Sequence, residues 1–85
     1  MTVETPGPAR PLDALTPRER QTLGLVLRGH SSVEIAAMVY VNPAAITFRL
    51  DRIHEKLGIK RRFRSLAPLF AWAIENGHLE VRVVA

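Results

Sequence analysis

The sequence predicts an all-α domain of four helices, and three observations support that fold class. Residues that favour helix N-caps precede all four predicted helices, at Thr16, Ser31, Asn42 and Ser65. Glycines follow three of the helices, at positions 29, 58 and 77, where a left-handed residue ends many helices. Between these signals, apolar residues recur at helical spacing. With 85 residues and no cysteine, the chain can form one small core without disulfide support.

The N-terminal segment, residues 1–14, is predicted to be a flexible arm. Prolines and a glycine interrupt it, and its apolar residues follow no helical period. The first helix, 17–28, comes next. Thr16 and Glu19 have the spacing of a capping box, and Pro17 takes the first helical position, where no amide proton is needed. The residues that this helix is expected to bury are Leu23, Val26 and Leu27.

The next two segments predict a helix-turn-helix. Ser31 and Glu34 repeat the capping-box spacing and open a second helix at 32–39. Its buried residues are expected to be Ile35, Ala36, Met38 and Val39. The connection through Tyr40 and Val41 leads directly to the cap of the third helix. Two short helices joined by so tight a turn form a helix-turn-helix.

The third helix, 43–57, is the segment around which the domain is organised. Asn42 caps it, Pro43 occupies its first position and Gly58 ends it. Its apolar residues form one stripe at i, i+4, i+7 and i+11, namely Ile46, Leu50, Ile53 and Leu57. The residues that project away from the stripe are Thr47, Phe48, Arg49, Asp51, Arg52, Glu55 and Lys56. The sequence therefore predicts an amphipathic helix with a mixed, arginine-bearing outer face.

The fourth helix, 66–76, is apolar on more than one side. Ser65 is its expected N-cap, and Pro68 falls in its first turn. One side is expected to pack on the core through Leu66, Phe70, Ala73 and Ile74. A second side would leave large apolar side chains in water unless another subunit covered it. We therefore expect a homodimer interface formed by Ala67, Leu69, Ala71 and Trp72.

The tail, 78–85, alternates polar and apolar residues at period two, as a strand does. A single strand is not stable alone, so the tail is expected either to pair with a partner or to fray.

Basic residues are concentrated in one part of the chain. Residues 49–64 contain seven Arg or Lys against two acidic residues, a net charge of +5, whereas the rest of the chain carries −1. A basic segment on a nearly neutral body is typical of a polyanion-binding face, and the alternative is a solvated charged surface. The residues expected to contact DNA phosphates are Arg49, Arg52, Lys56, Lys60, Arg61, Arg62 and Arg64. Such contacts position a protein on DNA without specifying sequence.

The sequence gives no pattern typical of an enzyme or a metal protein. His30, His54 and His78 share no ligand spacing, and there is no nucleophile–base set, carboxylate pair or glycine-rich phosphate loop. We therefore predict no catalytic residue, no metal site and no cofactor. No apolar run approaches about 18 residues, and the first residues lack a signal pattern. We expect a cytoplasmic protein with no membrane partner.

Three motifs together resemble the LuxR/GerE type of helix-turn-helix domain. They are Leu15-Thr-Pro-Arg-Glu-Arg20, Gly29-His-Ser-Ser-Val-Glu-Ile-Ala36 and Lys56-Leu-Gly-Ile59, in the order and spacing of that family over residues 14–77. The resemblance implies a DNA-binding domain at 15–77 whose third helix enters the major groove and whose fourth helix commonly forms a two-fold dimer. It also implies a bacterial, nucleoid-associated protein. Many relatives carry a receiver or ligand-binding domain, and this chain resembles the small standalone members.

The third helix departs from that family pattern at several positions. Ala45 stands in place of the usual threonine, Thr47 in place of lysine, and Arg49 in place of histidine. Asp51 stands where a polar or basic residue is frequent. By resemblance, Thr47, Phe48 and Asp51 match base-reading positions. Thr47 and Phe48 suit contact with a thymine methyl group, and Asp51 suits a cytosine amino group.

The function expected from the sequence is a sequence-specific transcriptional regulator that binds double-stranded DNA as a homodimer, with helix 43–57 in the major groove. Two alternatives stay open. The same fold can serve as a protein-interaction module, in which Phe48 and Asp51 bind another transcription protein. Ile46-Thr-Phe-Arg-Leu50 is also similar to region 4 of sigma factors, which binds promoters, although Lys56-Leu-Gly-Ile59 favours the first family.

Overall fold

A computed structural model of the chain describes residues 11–60 and 65–79. Within these ranges the chain forms a 3-10 helix and four α-helices, and no strand. The elements are the 3-10 helix Pro11–Ala14, α1 Pro17–Leu27, α2 Ser32–Met38, α3 Pro43–Leu57 and α4 Ala67–Glu75. The all-α prediction is confirmed, and each predicted helix end lies within one residue of its observed position. The predicted strand-like tail lies largely outside the described residues.

The two predicted capping boxes are both present. At the start of α1, the Thr16 hydroxyl accepts the Glu19 amide at 3.1 Å, and the Glu19 carboxylate accepts the Thr16 amide at 2.9 Å. Ser31 and Glu34 make the same pair of bonds, at 3.1 and 2.9 Å, at the start of α2. Asn42 caps α3 by accepting the Ala44 amide at 2.8 Å. These bonds satisfy amide groups that a helix leaves without partners, so local sequence defines where these three helices begin.

The start of α4 differs slightly from the prediction. Its N-cap residue is Leu66, which has no capping side chain, and not Ser65. The Ser65 hydroxyl nevertheless accepts the Ala67 amide at 3.1 Å, so it still satisfies an amide of the first turn. Pro68 lies in that first turn, as expected.

All four helices end in a left-handed residue with the hydrogen bonds of a Schellman motif. In α1, α3 and α4 that residue is a glycine with positive φ, at positions 29, 58 and 77. In α2 it is Tyr40, with φ 58°. The Tyr40 amide donates to the Ala37 carbonyl at 3.4 Å and the Val41 amide to the Ala36 carbonyl at 3.0 Å. This ending could not be predicted from the sequence because no glycine follows α2.

The core is centred on α3, which contacts α1, α2 and the 3-10 helix. Its apolar stripe is fully buried, as predicted. The buried apolar residues are Leu15, Leu23, Val26, Ile35, Ala36, Ile46, Leu50, Ile53, Leu57, Leu69, Trp72 and Ala73. In α1 and α2, three residues expected in the core are less buried: Leu27 and Val39 are intermediate and Met38 is 47% exposed. These three residues lie at or next to the C-terminal ends of their helices, at the margin of the core.

The range predicted to be an arm overlaps the ordered domain at its end. Residues Pro11–Ala14 form the 3-10 helix, and Leu12 packs partly against the core. The Leu12 carbonyl accepts hydrogen bonds from the Leu15 amide at 3.2 Å and from Arg20 Nε at 3.1 Å. The fold therefore begins before residue 15, while residues 1–10 lie outside the described part of the chain.

The side of α4 that faces the core was predicted wrongly except at Ala73, which is 0% exposed as expected. Leu69 is 0% exposed and Trp72 is 9% exposed within the single chain, whereas Ile74 is 43% exposed. Leu66 and Phe70 are only half-buried. The helix carries apolar residues on every side, so its sequence has no polar stripe to indicate which side is outward. Packing against α1 places the large Leu69 and Trp72 inward and the small Ala67 and Ala71 outward.

Candidate nucleic-acid interface

The three predicted base-reading residues lie on the exposed face of α3. Thr47, Phe48 and Asp51 all project away from the buried stripe, and Phe48 is 62% exposed. The Arg52 guanidinium lies over the Phe48 ring, 5.9 Å from its centroid. Arg52 Nε is also 3.7 Å from Glu55 Oε1. One face of one helix thus brings together an aromatic ring, a hydroxyl, a carboxylate and a cation.

Lys56, predicted to contact phosphate, instead faces α1. Its ammonium is 2.8 Å from Glu19 Oε1, and the Glu19 side chain is 9% exposed. Burial alone would raise the pKa of Glu19, but the hydrogen bonds from Lys56 and from the Thr16 amide, with the charges of Lys56 and Arg52, outweigh it and lower that pKa below its ordinary value. The ion pair neutralises the positive charge that Lys56 would otherwise offer to a phosphate. The main role of Lys56 in this structure is therefore to join α3 to α1.

Arg49 also lies on the side of α3 that faces α1. It is half-buried, and its Nη1 donates to the Thr22 hydroxyl at 3.3 Å. Thr22 is fully buried and donates in turn to the Arg18 carbonyl at 2.9 Å. Of the other predicted phosphate contacts, Lys60 is exposed. Arg61, Arg62 and Arg64 lie outside the described residues.

The sequence did not identify the residues that support this face from within. Glu19 was assigned only to a capping box and Thr22 was assigned nothing, yet both hold side chains of α3. His54 was considered only as a metal ligand, and it is 1% exposed with Nδ1 2.7 Å from the Leu50 carbonyl oxygen. One feature of the sequence could have pointed to Thr22. It lies three residues after Glu19, and residues at that spacing lie on the same side of a helix.

The predicted dimer face of α4 is only partly exposed. Ala67, Ala71 and Ile74 are exposed and, with the half-buried Phe70, occupy one side of the helix. Leu69 and Trp72 belong to the core and are not available to a second subunit. The outward side, the α4 face, consists of Ala67, Phe70, Ala71 and Ile74.

Two absences apply to the described residues only. No group of three or more His, Cys, Asp or Glu side chains in residues 11–60 and 65–79 is placed to hold a metal ion. In the same ranges no single helix has the length and apolar character to cross a membrane, although the strongly bent pair of α2 and α3 passes on length and composition alone.

The geometry of α2 and α3 defines the class of protein. The two helices meet at 113° across the four-residue connection 39–42. Helices at about 90–120° joined by a turn of three or four residues form a helix-turn-helix, and the second helix here is the longer one with the exposed polar face. The domain is a helix-turn-helix domain.

Comparison with known proteins identifies the family. The profile described as "Bacterial regulatory proteins, luxR family" matches residues 13–66. The chain belongs to this family of bacterial regulatory proteins, which confirms the resemblance seen in its motifs. The family match also decides against region 4 of sigma factors, the other helix-turn-helix class that the sequence left open.

Several curated relatives are regulators of transcription. The chain is 37% identical over 65 residues to the transcriptional regulatory protein MctR of Rhizobium johnstonii, an alignment that covers 76% of this chain and 28% of MctR. It is 32% identical over 57 residues to the probable transcriptional regulatory protein SgaR of Hyphomicrobium methylovorum, covering 67% and 27%. It is 38% identical over 53 residues to the probable transcriptional regulatory protein NarL of Mycobacterium tuberculosis, covering 62% and 24%.

The chain thus spans about a quarter of the length of each of these three relatives. No solved structure matches it at the significance of these comparisons.

Proposed function

We propose that this protein is a sequence-specific DNA-binding transcriptional regulator that inserts α3 into the major groove, in the bacterial cytoplasm at the nucleoid. The observation that carries the proposal is the exposed face of α3, which presents Thr47, Phe48 and Asp51 opposite a fully buried stripe. A helix fits the major groove, where base edges carry a distinct pattern of donors, acceptors and methyl groups. Thr47 and Phe48 suit thymine methyl groups, and Asp51 suits a cytosine amino group.

Cations around this face supply the contacts to phosphates. Arg52 and Lys60 are exposed, and Arg61, Arg62 and Arg64 follow α3 in the sequence. The ammonium of Lys56 is paired with Glu19, so it contributes less to phosphate binding than the sequence suggested. Arg49 bonds Thr22 through one of its N–H groups and keeps its charge. The resulting contacts are independent of base sequence and make affinity depend on salt.

The active species in this proposal is a homodimer formed through the α4 face. Ala67 and Ala71 are small and exposed, so two copies of α4 can approach closely, and Ile74 adds apolar area at 43% exposure. A two-fold dimer is self-complementary and presents two copies of α3 to two half-sites about one helical turn, roughly 34 Å, apart on the DNA.

The test is duplex binding measured by fluorescence anisotropy at several salt concentrations. The wild type is first used to select a duplex from a random library, and a scrambled duplex of the same length and composition is the control. We expect tighter binding to the selected duplex, and log K that falls linearly with log salt with a slope of about −0.9 per phosphate contacted. Equal affinity for both duplexes would remove sequence specificity, and no binding at low salt would remove DNA as the partner.

A second candidate function is a protein-interaction module. The observation that favours it is Phe48, a large aromatic residue that is 62% exposed. Aromatic anchors dominate the binding energy of many protein interfaces. An aromatic-anchored contact with another transcription protein would respond weakly to salt, so the same salt series separates the two functions.

A further inference from the structure

A cleft of about 470 Å³ lies beside α3, between α1 and the connection from α2 to α3. Its polar lining comes from Arg18 and Gln21 of α1, Tyr40 of the connection and Arg49 of α3. Its other lining residues are Met38, Val39 and Val41, so none of the lining residues that the structure describes is acidic. Two guanidinium groups with an amide and a phenol, and no carboxylate, make a site suited to an oxyanion.

A buried hydroxyl joins the side chain of one arginine of the cleft to the backbone of the other. Arg49 Nη1 donates to Thr22 Oγ1 at 3.3 Å, and Thr22 Oγ1 donates to the carbonyl of Arg18 at 2.9 Å. Thr22 is 0% exposed, so the bond holds the Arg49 guanidinium against the backbone of α1 at Arg18. A guanidinium has five N–H donors, and the bond to Thr22 uses one of them. Arg49 is therefore held in place with donors remaining for a ligand in the cleft.

Tyr40 occupies a position where backbone geometry favours glycine. Its φ is 58°, and it is the one residue other than glycine with positive φ in the described part of the chain. Its side chain is 93% exposed, so packing does not explain the tyrosine. Backbone strain retained without a packing gain is frequently found at binding sites. The left-handed conformation places an aromatic hydroxyl-bearing side chain at the rim of the cleft.

We propose that this cleft holds a backbone phosphate of the DNA duplex, at the edge of the major groove that α3 occupies. The inference rests on the proposed function, because it requires α3 to lie in the groove. Arg49 lies three residues before the exposed Arg52, its neighbour on the helix surface, so the cleft opens on the flank of the α3 face that borders α1. The groove is about 12 Å wide and is bordered by phosphates, so a helix that fills it brings its flanks close to them. Arg18 and Arg49 donate to the phosphate oxygens, and Tyr40 donates its hydroxyl from the rim.

The first test compares Arg18→Gln with Arg28→Gln on the duplex selected by the wild type. Both changes remove one exposed positive charge from α1 or its end, but the two positions are about 15 Å apart along the helix, beyond the screening length of about 10 Å at 0.1 M salt. We expect Arg18→Gln to weaken binding about tenfold and to reduce the salt slope by about one, with Arg28→Gln close to wild type. Equal losses in the two variants would overturn the proposal. Circular dichroism confirms that both variants are folded.

The second test locates the phosphate by ethylation interference. We expect one phosphate at the groove edge whose ethylation weakens binding of the wild type but not of Arg18→Gln, because that variant has already lost the contact. The same pattern in wild type and variant would overturn the proposal. Tyr40→Phe, which keeps the ring and the backbone but removes the hydroxyl, is expected to lower affinity about threefold.

A third measurement distinguishes a DNA phosphate from a free anion. The Nε–H signals of Arg18 and Arg49 are followed by NMR during titration with the selected duplex or with inorganic phosphate. Shifts with the duplex support the proposal. Shifts with inorganic phosphate alone overturn it in favour of a small-anion site. A wild type that binds no duplex removes the proposed function and this inference together, whereas a wild type that binds with an indifferent Arg18→Gln removes only this inference.

Discussion

At the scale of single residues, the carboxylate of Glu19 has two roles in the fold. It caps its own helix through the Thr16 amide and receives the Lys56 ammonium from α3. A buried carboxylate with two such donors stabilises the fold while both are present, but it is costly if either is lost. Glu34 occupies the equivalent capping-box position on α2 with a side chain that is 61% exposed, so it provides an internal control.

Glu19→Gln is expected to lower the free energy of unfolding by about 2 kcal/mol at pH 7, because it leaves Lys56 without its charged partner. Glu34→Gln is expected to cost about 0.5 kcal/mol. The pKa of Glu19 is lowered in the folded state, so its contribution is complete above the unfolded-state pKa of about 4.3 and is lost as the pH falls through the lower folded value. Urea denaturation of both variants and the wild type at pH 7 and pH 3 measures this, and a Glu19→Gln deficit that is unchanged at pH 3 would contradict it.

Tyr40→Gly is expected to stabilise the domain by about 1 kcal/mol, because glycine adopts φ 58° without the steric cost of a Cβ atom. For a domain of this size the melting temperature rises by roughly 4–8 °C. Tyr40→Ala is the matched control, since it removes the ring but keeps the Cβ, and it should show no comparable gain. Thermal denaturation followed by circular dichroism gives both values. If the melting temperature rises equally in both variants, the stabilisation comes from loss of the exposed ring and not from relief of the backbone.

At the scale of elements, α3 and α4 are both rich in apolar residues, but only α3 has a distinct polar face. In α3 a polar side opposes the buried stripe, so its outward face is unambiguous. In α4 no charged residue precedes Glu75, and the inward side is set by packing on α1. The two helices therefore need different tests. For α3 the test concerns the contacts of its exposed face, and for α4 it concerns the side chains that the helix buries.

On α4, Leu69→Ala is expected to lower the free energy of unfolding by about 3 kcal/mol, because the side chain is fully buried within the chain. Ile74→Ala removes a similar aliphatic side chain from the 43% exposed side of the same helix and should cost less than about 1 kcal/mol. Chemical denaturation at low protein concentration, where a dimer contributes least, measures both. A larger loss at Ile74 than at Leu69 would mean that α4 is rotated from the orientation described.

On α3, Asp51→Lys separates two roles of the exposed carboxylate. If Asp51 accepts a hydrogen bond from a cytosine amino group, the change lowers the ratio of specific to nonspecific affinity by about ten- to hundredfold. If Asp51 mainly opposes phosphate, affinity rises on all duplexes alike. We expect the first result, read from binding to the selected and scrambled duplexes. An unchanged specificity ratio would remove Asp51 from base recognition.

At the scale of the whole molecule, the domain depends on contacts that join α3 to α1 far along the chain. Lys56 and Glu19 are 37 residues apart in sequence, and Arg49 and Thr22 are 27 apart. These bonds, with the buried stripe, fix the orientation of the exposed face of α3 relative to α1. Assembly through the α4 face would then set the separation of two such units.

The double variant Ala71→Glu/Ile74→Glu is expected to be a folded monomer, because both changes lie on the exposed α4 face and place charge in the proposed interface. Leu69 and Trp72 are unsuitable for this purpose, since they are buried in the core and a glutamate at either position would destabilise the fold itself. Sedimentation velocity of the wild type should show a dimer at micromolar concentration and the variant a monomer with an unchanged circular dichroism spectrum. A wild type that remains monomeric at high micromolar concentration would exclude dimerisation through this face.

The sequence by itself determined the starts of α1, α2 and α3, the glycine endings of α1, α3 and α4, the α3 stripe and the family. Capping boxes and C-terminal glycines act within a few residues, so their effect can be predicted from the sequence. The polar side of α3 indicates which face of that helix is exposed. Only the tertiary structure decided which side of α4 is buried, because that helix has no polar stripe. It also decided that Lys56 meets Glu19, that Arg49 meets Thr22, and that Tyr40 adopts a left-handed conformation. Each of these features depends on how residues of different elements pack together. The spacing of residues along one helix does not determine that packing.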